Sequence, residues 1–104
     1  MSVLGADIHV DDWGTIFRVW FKDGGVAVDI SLATTKNIYL KPPGTTATAY
    51  PGTFITDGTD GGLYYTSTSG ILATAGGWGI QGHFITPSGS WKSQVRHFTV
   101  LPNV

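Results

Sequence analysis

Residues 15–21 alternate along the chain: Phe17, Val19 and Phe21 fall on one side, and Ile16, Arg18 and Trp20 on the other. A period of two predicts a half-buried strand, and the first set is assigned to the core. Lys22-Asp23-Gly24-Gly25 then predicts a hairpin turn, because Asp-Gly supplies the positive φ that tight turns need. Residues 26–30 return as a short strand, and residues 31–35 read as a bend or short helical turn. Residues 36–41 alternate again, with Ile38 and Leu40 inward and Asn37 and Tyr39 outward. Pro42-Pro43-Gly44-Thr45 stops that strand, since proline cannot donate to a ladder. Residues 46–56 predict a strand region interrupted at Pro51-Gly52, which marks a bulge or an edge position.

The second half continues the pattern. Asp57-Gly58-Thr59-Asp60-Gly61-Gly62 is the densest turn signal in the chain. Leu63 and Tyr65 share a face of the strand that follows, and residues 67–77 form a loop carrying Ile71 and Leu72. Trp78, Ile80 and Phe84 share a face with Gly82, where a glycine marks the close approach of another group. Thr86-Pro87-Ser88-Gly89 turns the chain. In residues 90–101 the phase breaks: Val95 falls opposite to Phe98 and Val100, and a bulge near Arg96-His97 would reconcile them. Residues 1–13 read as an N-terminal arm with one short strand at residues 7–10, and residues 14–104 as one domain. About seven antiparallel strands with a turn signal roughly every eight to twelve residues predict an all-β, immunoglobulin-like β-sandwich. A small barrel is the alternative.

Composition agrees with strands. All seven acids are Asp and none is Glu, and Asp favours caps and turns over helices. Val, Ile and Thr, favoured in strands, are abundant. At 104 residues the chain can bury one core. Net charge is −1 and the six Lys and Arg are scattered, so no basic stripe predicts nucleic-acid binding. There is no cysteine, which points to folding in the cytoplasm. The first ten residues lack the pattern of a signal peptide, and no apolar run approaches the length of a membrane span. Few charges combined with several aromatics predict partners that cover part of the surface.

Several segments resemble an immunoglobulin-like domain of bacteriophage virion proteins. Residues 21–31, Phe-Lys-Asp-Gly-Gly-Val-Ala-Val-Asp-Ile-Ser, are similar to its opening D-G-x-x-V-D-L-S. Residues 38–45, Ile-Tyr-Leu-Lys-Pro-Pro-Gly-Thr, resemble a strand ending in K-P-D-G-T. Gly62-Leu63-Tyr64-Tyr65, Gly76-Gly77-Trp78 with Ile80, Ser88-Gly89-Ser90-Trp91-Lys92-Ser93 and Phe98-Thr99-Val100 follow in the family's order. Leu32 and Pro43 depart from the pattern, standing where Gly and Asp are expected. The resemblance covers residues 14–104 and is to the N-terminal domain of baseplate upper proteins and related tail-associated proteins. It implies a non-enzymatic structural protein of the virion, in tail, baseplate, neck or capsid decoration, made in the host cytoplasm. It also implies other virion proteins and further copies of the chain as partners.

Candidate chemistry is sparse. His97 with a hydroxyl residue and Asp29 lacks any nucleophile motif, so no catalytic residue is named. Asp57 and Asp60 are weak candidates for a calcium loop, but turns demand the same residues. His9, His83 and His97 have no zinc spacing, and no cofactor is expected. Trp78 is assigned to the core. Trp13, Trp20, Tyr39 and Trp91 are the interface candidates, Trp20 and Trp91 because each faces away from its strand's apolar set. A host glycan stacking on these aromatics is the alternative to a protein partner. The arm and residues 101–104 are the expected docking segments.

Overall fold

The computed structural model describes residues 8–103 as an all-β sandwich with no helix among them. The large sheet is built from β1 (Ile8–His9), β5 (Thr35–Lys41), β6 (Thr48–Pro51), β9 (Gly76–Thr86), β10 (Gly89–Lys92) and β11 (Arg96–Leu101). Its order is β1-β11-β9-β5-β6, with β10 also on β9. The small sheet is β2 (Ile16–Trp20), β8 (Gly62–Thr66) and β7 (Thr53–Phe54), in the order β2-β8-β7. A hairpin of β3 (Lys22–Asp23) and β4 (Val26–Ala27) projects beyond β2. Gly24 and Gly25 both have positive φ there, so the Gly-Gly pair, one step beyond Asp-Gly, forms the turn. Only Val26 and Ala27 of the expected return strand are extended into a ladder. Val28 and Ile30 instead donate amides to Phe21 and Gly58.

The core lies between the sheets, and the alternation seen in the sequence defines it. Phe17 and Val19 from β2, and Phe21 just after it, meet Ile38 and Leu40 from β5 and Trp78, Ile80 and Phe84 from β9. Phe21 meets Phe84 edge-on with ring centroids 4.7 Å apart, and Phe17 packs on Phe98 at 5.1 Å. Gly82 occupies an inward position for the predicted reason: a Cβ there would stand 2.7 Å from both Phe21 Cζ and Val19 Cγ2. Trp78 is a core residue whose indole nitrogen donates to the Thr74 carbonyl at 2.9 Å.

Three features depart from the sequence reading. The interruption at Pro51-Gly52 falls on an edge strand, as expected, but it is also a change of sheet. The chain leaves β6, an edge of the large sheet, and continues as β7, an edge of the small one. Gly52 still donates its amide to Lys36 O at 2.9 Å, and a Cβ on it would press on Leu63 Cδ1 at 3.2 Å. The second departure is at the arm. Ile8 is buried in the core, and β1 pairs with β11 in parallel, the exception among the otherwise antiparallel pairings of the described residues. Val10 donates to Leu101 O, Asn103 Nδ2 donates to Val10 O, and Asp11 donates to Leu72 O. The described parts of the two docking segments therefore bind each other. Residues 1–7 and 104 lie outside the described residues.

The third departure is the bulge. Trp91 stands opposite Phe84 and Phe98 opposite Trp78, while Ser93, Gln94 and Val95 span only Gln81 and Gly82. The extra residue lies near Arg96-His97, as expected, but before Arg96, so it does not carry Val95 to the face of Phe98. It brings Trp91 into phase with Phe98 and Val100, and leaves Val95 exposed.

Candidate interaction surface

β6 running into β7 joins the two sheets along one flank. Along the other flank β2 stands over β9, and an open groove of about 1380 Å³ separates β2 from β10. Its floor is apolar and includes Val19, Phe21, Ile80 and Phe84. Trp20 and Trp91 rise from its two sides, with Leu32 at the rim. These three are 46%, 47% and 76% exposed, which is high for large apolar side chains.

The two tryptophans reach the groove by different routes. Trp20 follows its strand's alternation and lies on the outer face of the small sheet, over Gly62. Gly62 has no side chain because Trp20 Cζ3 would lie 2.6 Å from its Cβ. Trp91 corrects the expectation that it faces away from the apolar set. Its ring stacks on Phe84 with centroids 5.3 Å apart at 25°, on the core side of the large sheet. It stays half exposed because no strand of the small sheet covers that end of β10. Gly89 makes room for it, since a Cβ there would meet Trp91 Cη2 at 2.8 Å.

The bulge is held tightly at the groove's edge. Ser93 Oγ accepts from the Gly82 amide at 2.7 Å, the Ser93 amide donates to Gly82 O at 2.9 Å, and Gln81 Nε2 donates to Ser93 O at 2.9 Å. A strand that changes phase here would otherwise leave these groups unpaired, at a cost of about 1–3 kcal/mol each.

The remaining aromatic candidates separate. Trp13 is 72% exposed between β1 and β2, away from the groove lining. Tyr39 lies on the outer face of the large sheet, its ring tilted against His83 at 6.0 Å. Tyr50 and Tyr65 stack on each other at 4.8 Å at the closed flank. Burial, and then Tyr65, pushes the Tyr50 phenol up from its ordinary value.

Asp57 and Asp60 use their carboxylates within their own turn. Asp57 Oδ1 accepts from the Thr59 hydroxyl at 2.6 Å and the Thr59 amide at 3.0 Å. Asp60 Oδ1 accepts from the Gly62 amide at 2.9 Å and Oδ2 from Thr56 Oγ1 at 3.0 Å. The Thr59 hydroxyl, followed by its amide, holds the Asp57 carboxyl below its usual range. Among the described residues no three His, Asp, Glu or Cys side chains converge on one point.

One contact was not legible along the chain. His83 Nε2 and Ser90 Oγ lie 2.7 Å apart, as diagonal neighbours on the outer face of the β9–β10 hairpin. The hairpin turn at Pro87-Ser88-Gly89 was the signal that could have paired them. His83 Nδ1 is buried with no hydrogen-bond partner, so no acid orients the ring as a triad requires. Asp29, the acid imagined for His97, instead accepts from the Ser31 amide at 2.9 Å.

No family model and no curated protein matches the chain. Among solved structures it is similar to the crystal structure of CopC from Methylosinus trichosporium OB3b, with a TM-score of 0.56 and 15% identity over 95% of this chain and 87% of that one. At that identity the likeness concerns the fold alone, and it is consistent with the β-sandwich drawn from the strand pattern.

Proposed function

We propose that this chain is a structural protein of a bacteriophage virion, acting through assembly contacts with other virion proteins and with its own copies. The observation that carries the reading is the open flank, where Trp20, Leu32 and Trp91 stay exposed on a rigid sandwich. Tryptophan half-seated on a stiff support is what protein interfaces use as anchors. The ordered motifs that resemble the virion domain support the same reading. Repeated contacts between identical copies close most simply into rings. Quantitative mass spectrometry of purified particles from the source sample tests it. Stoichiometry near that of the major capsid protein indicates a capsid decoration, and a much lower value a neck, tail or baseplate part. Absence from the particles overturns the reading.

A glycan-binding adhesion module is the second reading, favoured by Trp20 and Trp91 lining one groove. Under it, Trp20→Ala or Trp91→Ala abolishes binding on a glycan array and leaves assembly intact.

A further inference from the structure

The groove has strand edges for both walls. Among the described residues β2 pairs only with β8, and β10 only with β9. Bonds flanking β2 set its phase: the Phe21 amide donates to Gly61 O, and the Ser67 amide to Thr15 O. In an antiparallel ladder the backbone groups of successive residues point alternately to the two sides. Phe17 and Val19 therefore turn their amides and carbonyls toward β8, whereas Ile16, Arg18 and Trp20 turn theirs toward the open side. A row of such groups is a template for another strand.

Charge singles out the strand that fits. Arg18, Lys22, Lys92 and Arg96 line the groove, four of the six cations in the chain. Only Asp23 and Asp29, two of its seven acids, accompany them. The lining thus carries an excess of positive charge on a chain whose net charge is −1. Beneath the cations lies the apolar floor of Val19, Phe21, Ile80 and Phe84.

We infer that this groove receives an extended acidic segment of a partner protein, which adds a strand along the free edge of β2. Its backbone pairs with Ile16, Arg18 and Trp20. Its alternate apolar side chains enter the groove between the sheets, and its acidic ones lie on the outer face of the small sheet beside Arg18, within the positive field that Lys22, Lys92 and Arg96 add at the groove. Main-chain pairing supplies affinity, and the alternation of apolar and acidic positions supplies selectivity. The inference deepens the assembly reading by naming one contact through which it proceeds.

The test titrates the full chain at low salt into labelled heptapeptides in which Asp alternates with Val or Phe. Controls are the same peptides with Lys for Asp, and block peptides of unchanged composition. The alternating acidic peptides are expected to bind and to weaken as salt is added. On binding, Trp20 and Trp91 emission shifts and amide exchange slows at Ile16, Arg18 and Trp20. Arg18→Glu combined with Lys92→Glu raises Kd by about tenfold or more without moving the Tm. Equal binding of the Lys or block peptides, or no binding of any alternating acidic peptide, overturns the inference. So does saturation by an oligogalacturonate with no slowing at those three amides, which would make the groove an anionic-sugar site. Failure here removes this groove as a contact and leaves the particle stoichiometry free to support or reject the assembly reading.

Discussion

The two flanks of the sandwich are built from the same kinds of residue and end differently. On the closed flank one strand track passes from β6 to β7, and its aromatics are consumed internally: Tyr50 stacks on Tyr65, and Phe54 lies under Lys36 Nζ at 4.4 Å. On the open flank the chain also passes from one sheet to the other, from β1 to β2, but among the described residues β1 pairs only with Val100 and Leu101 at the end of β11, so the β10 end stays uncovered and Trp20 and Trp91 remain available. The difference lies in connectivity and not in hydrophobicity. A sheet edge seals the core only along the length that a crossing strand covers, as β6 does against β5 and as the two-residue β1 does not beside β10. An edge that stops leaves apolar side chains and backbone groups at the surface, where they invite a partner.

Substitutions can break or sharpen that contrast. Phe17 is fully buried between the flanks, so Phe17→Ala is expected to lose about 3–5 kcal/mol in urea unfolding. Ile8→Ala follows, at about 2–5 kcal/mol, because β1 is part of the core and not a detachable arm. By the same physics, deletion of residues 1–12 lowers the Tm, and a deletion variant as stable as the full chain refutes this account of β1. Gly82→Ala forces a methyl against Phe21 and Val19 under the open flank and should cost about 1–3 kcal/mol. Trp91→Ala removes one aromatic stack and should cost only about 0.5–1.5 kcal/mol beyond the ring's half-exposed area. A much larger loss would mean that the open flank is a second core.

The smallest effect is that of acid. Hydrogen bonds from Ser31 hold the Asp29 carboxyl below its ordinary value, as those from Thr59 hold Asp57. Their contribution is present above the unfolded-state aspartate pKa of about 3.9 and is lost as pH falls through the lower folded values. Unfolding midpoints should stay level from neutral pH down to about pH 5, then fall, and less so in Asp57→Asn.

Much of this was readable along the chain. The alternation at Phe17, Val19 and Phe21, at Ile38 and Leu40, and at Trp78, Ile80 and Phe84 reports which side of each strand is buried, because side chains of a strand alternate strictly. The turn at Asp57–Gly62 and the close approach at Gly82 followed from residue chemistry alone. The candidate surface was legible only in part. Trp20 kept its strand's phase and stood where the pattern placed it. Trp91 did not, because one extra residue at Ser93–Val95 reverses the parity between the two ends of the strand.

The sequence by itself determined the strand class, the inward faces and the turns, since these depend on neighbours a few residues apart. Only the tertiary structure decided that Pro51-Gly52 changes sheets, that Ile8 and His9 complete the large sheet in parallel, and that Trp20 and Trp91, far apart in the chain, line one groove. Those outcomes depend on which edges meet across the core, and long-range pairing leaves no periodic trace in the residues that make it.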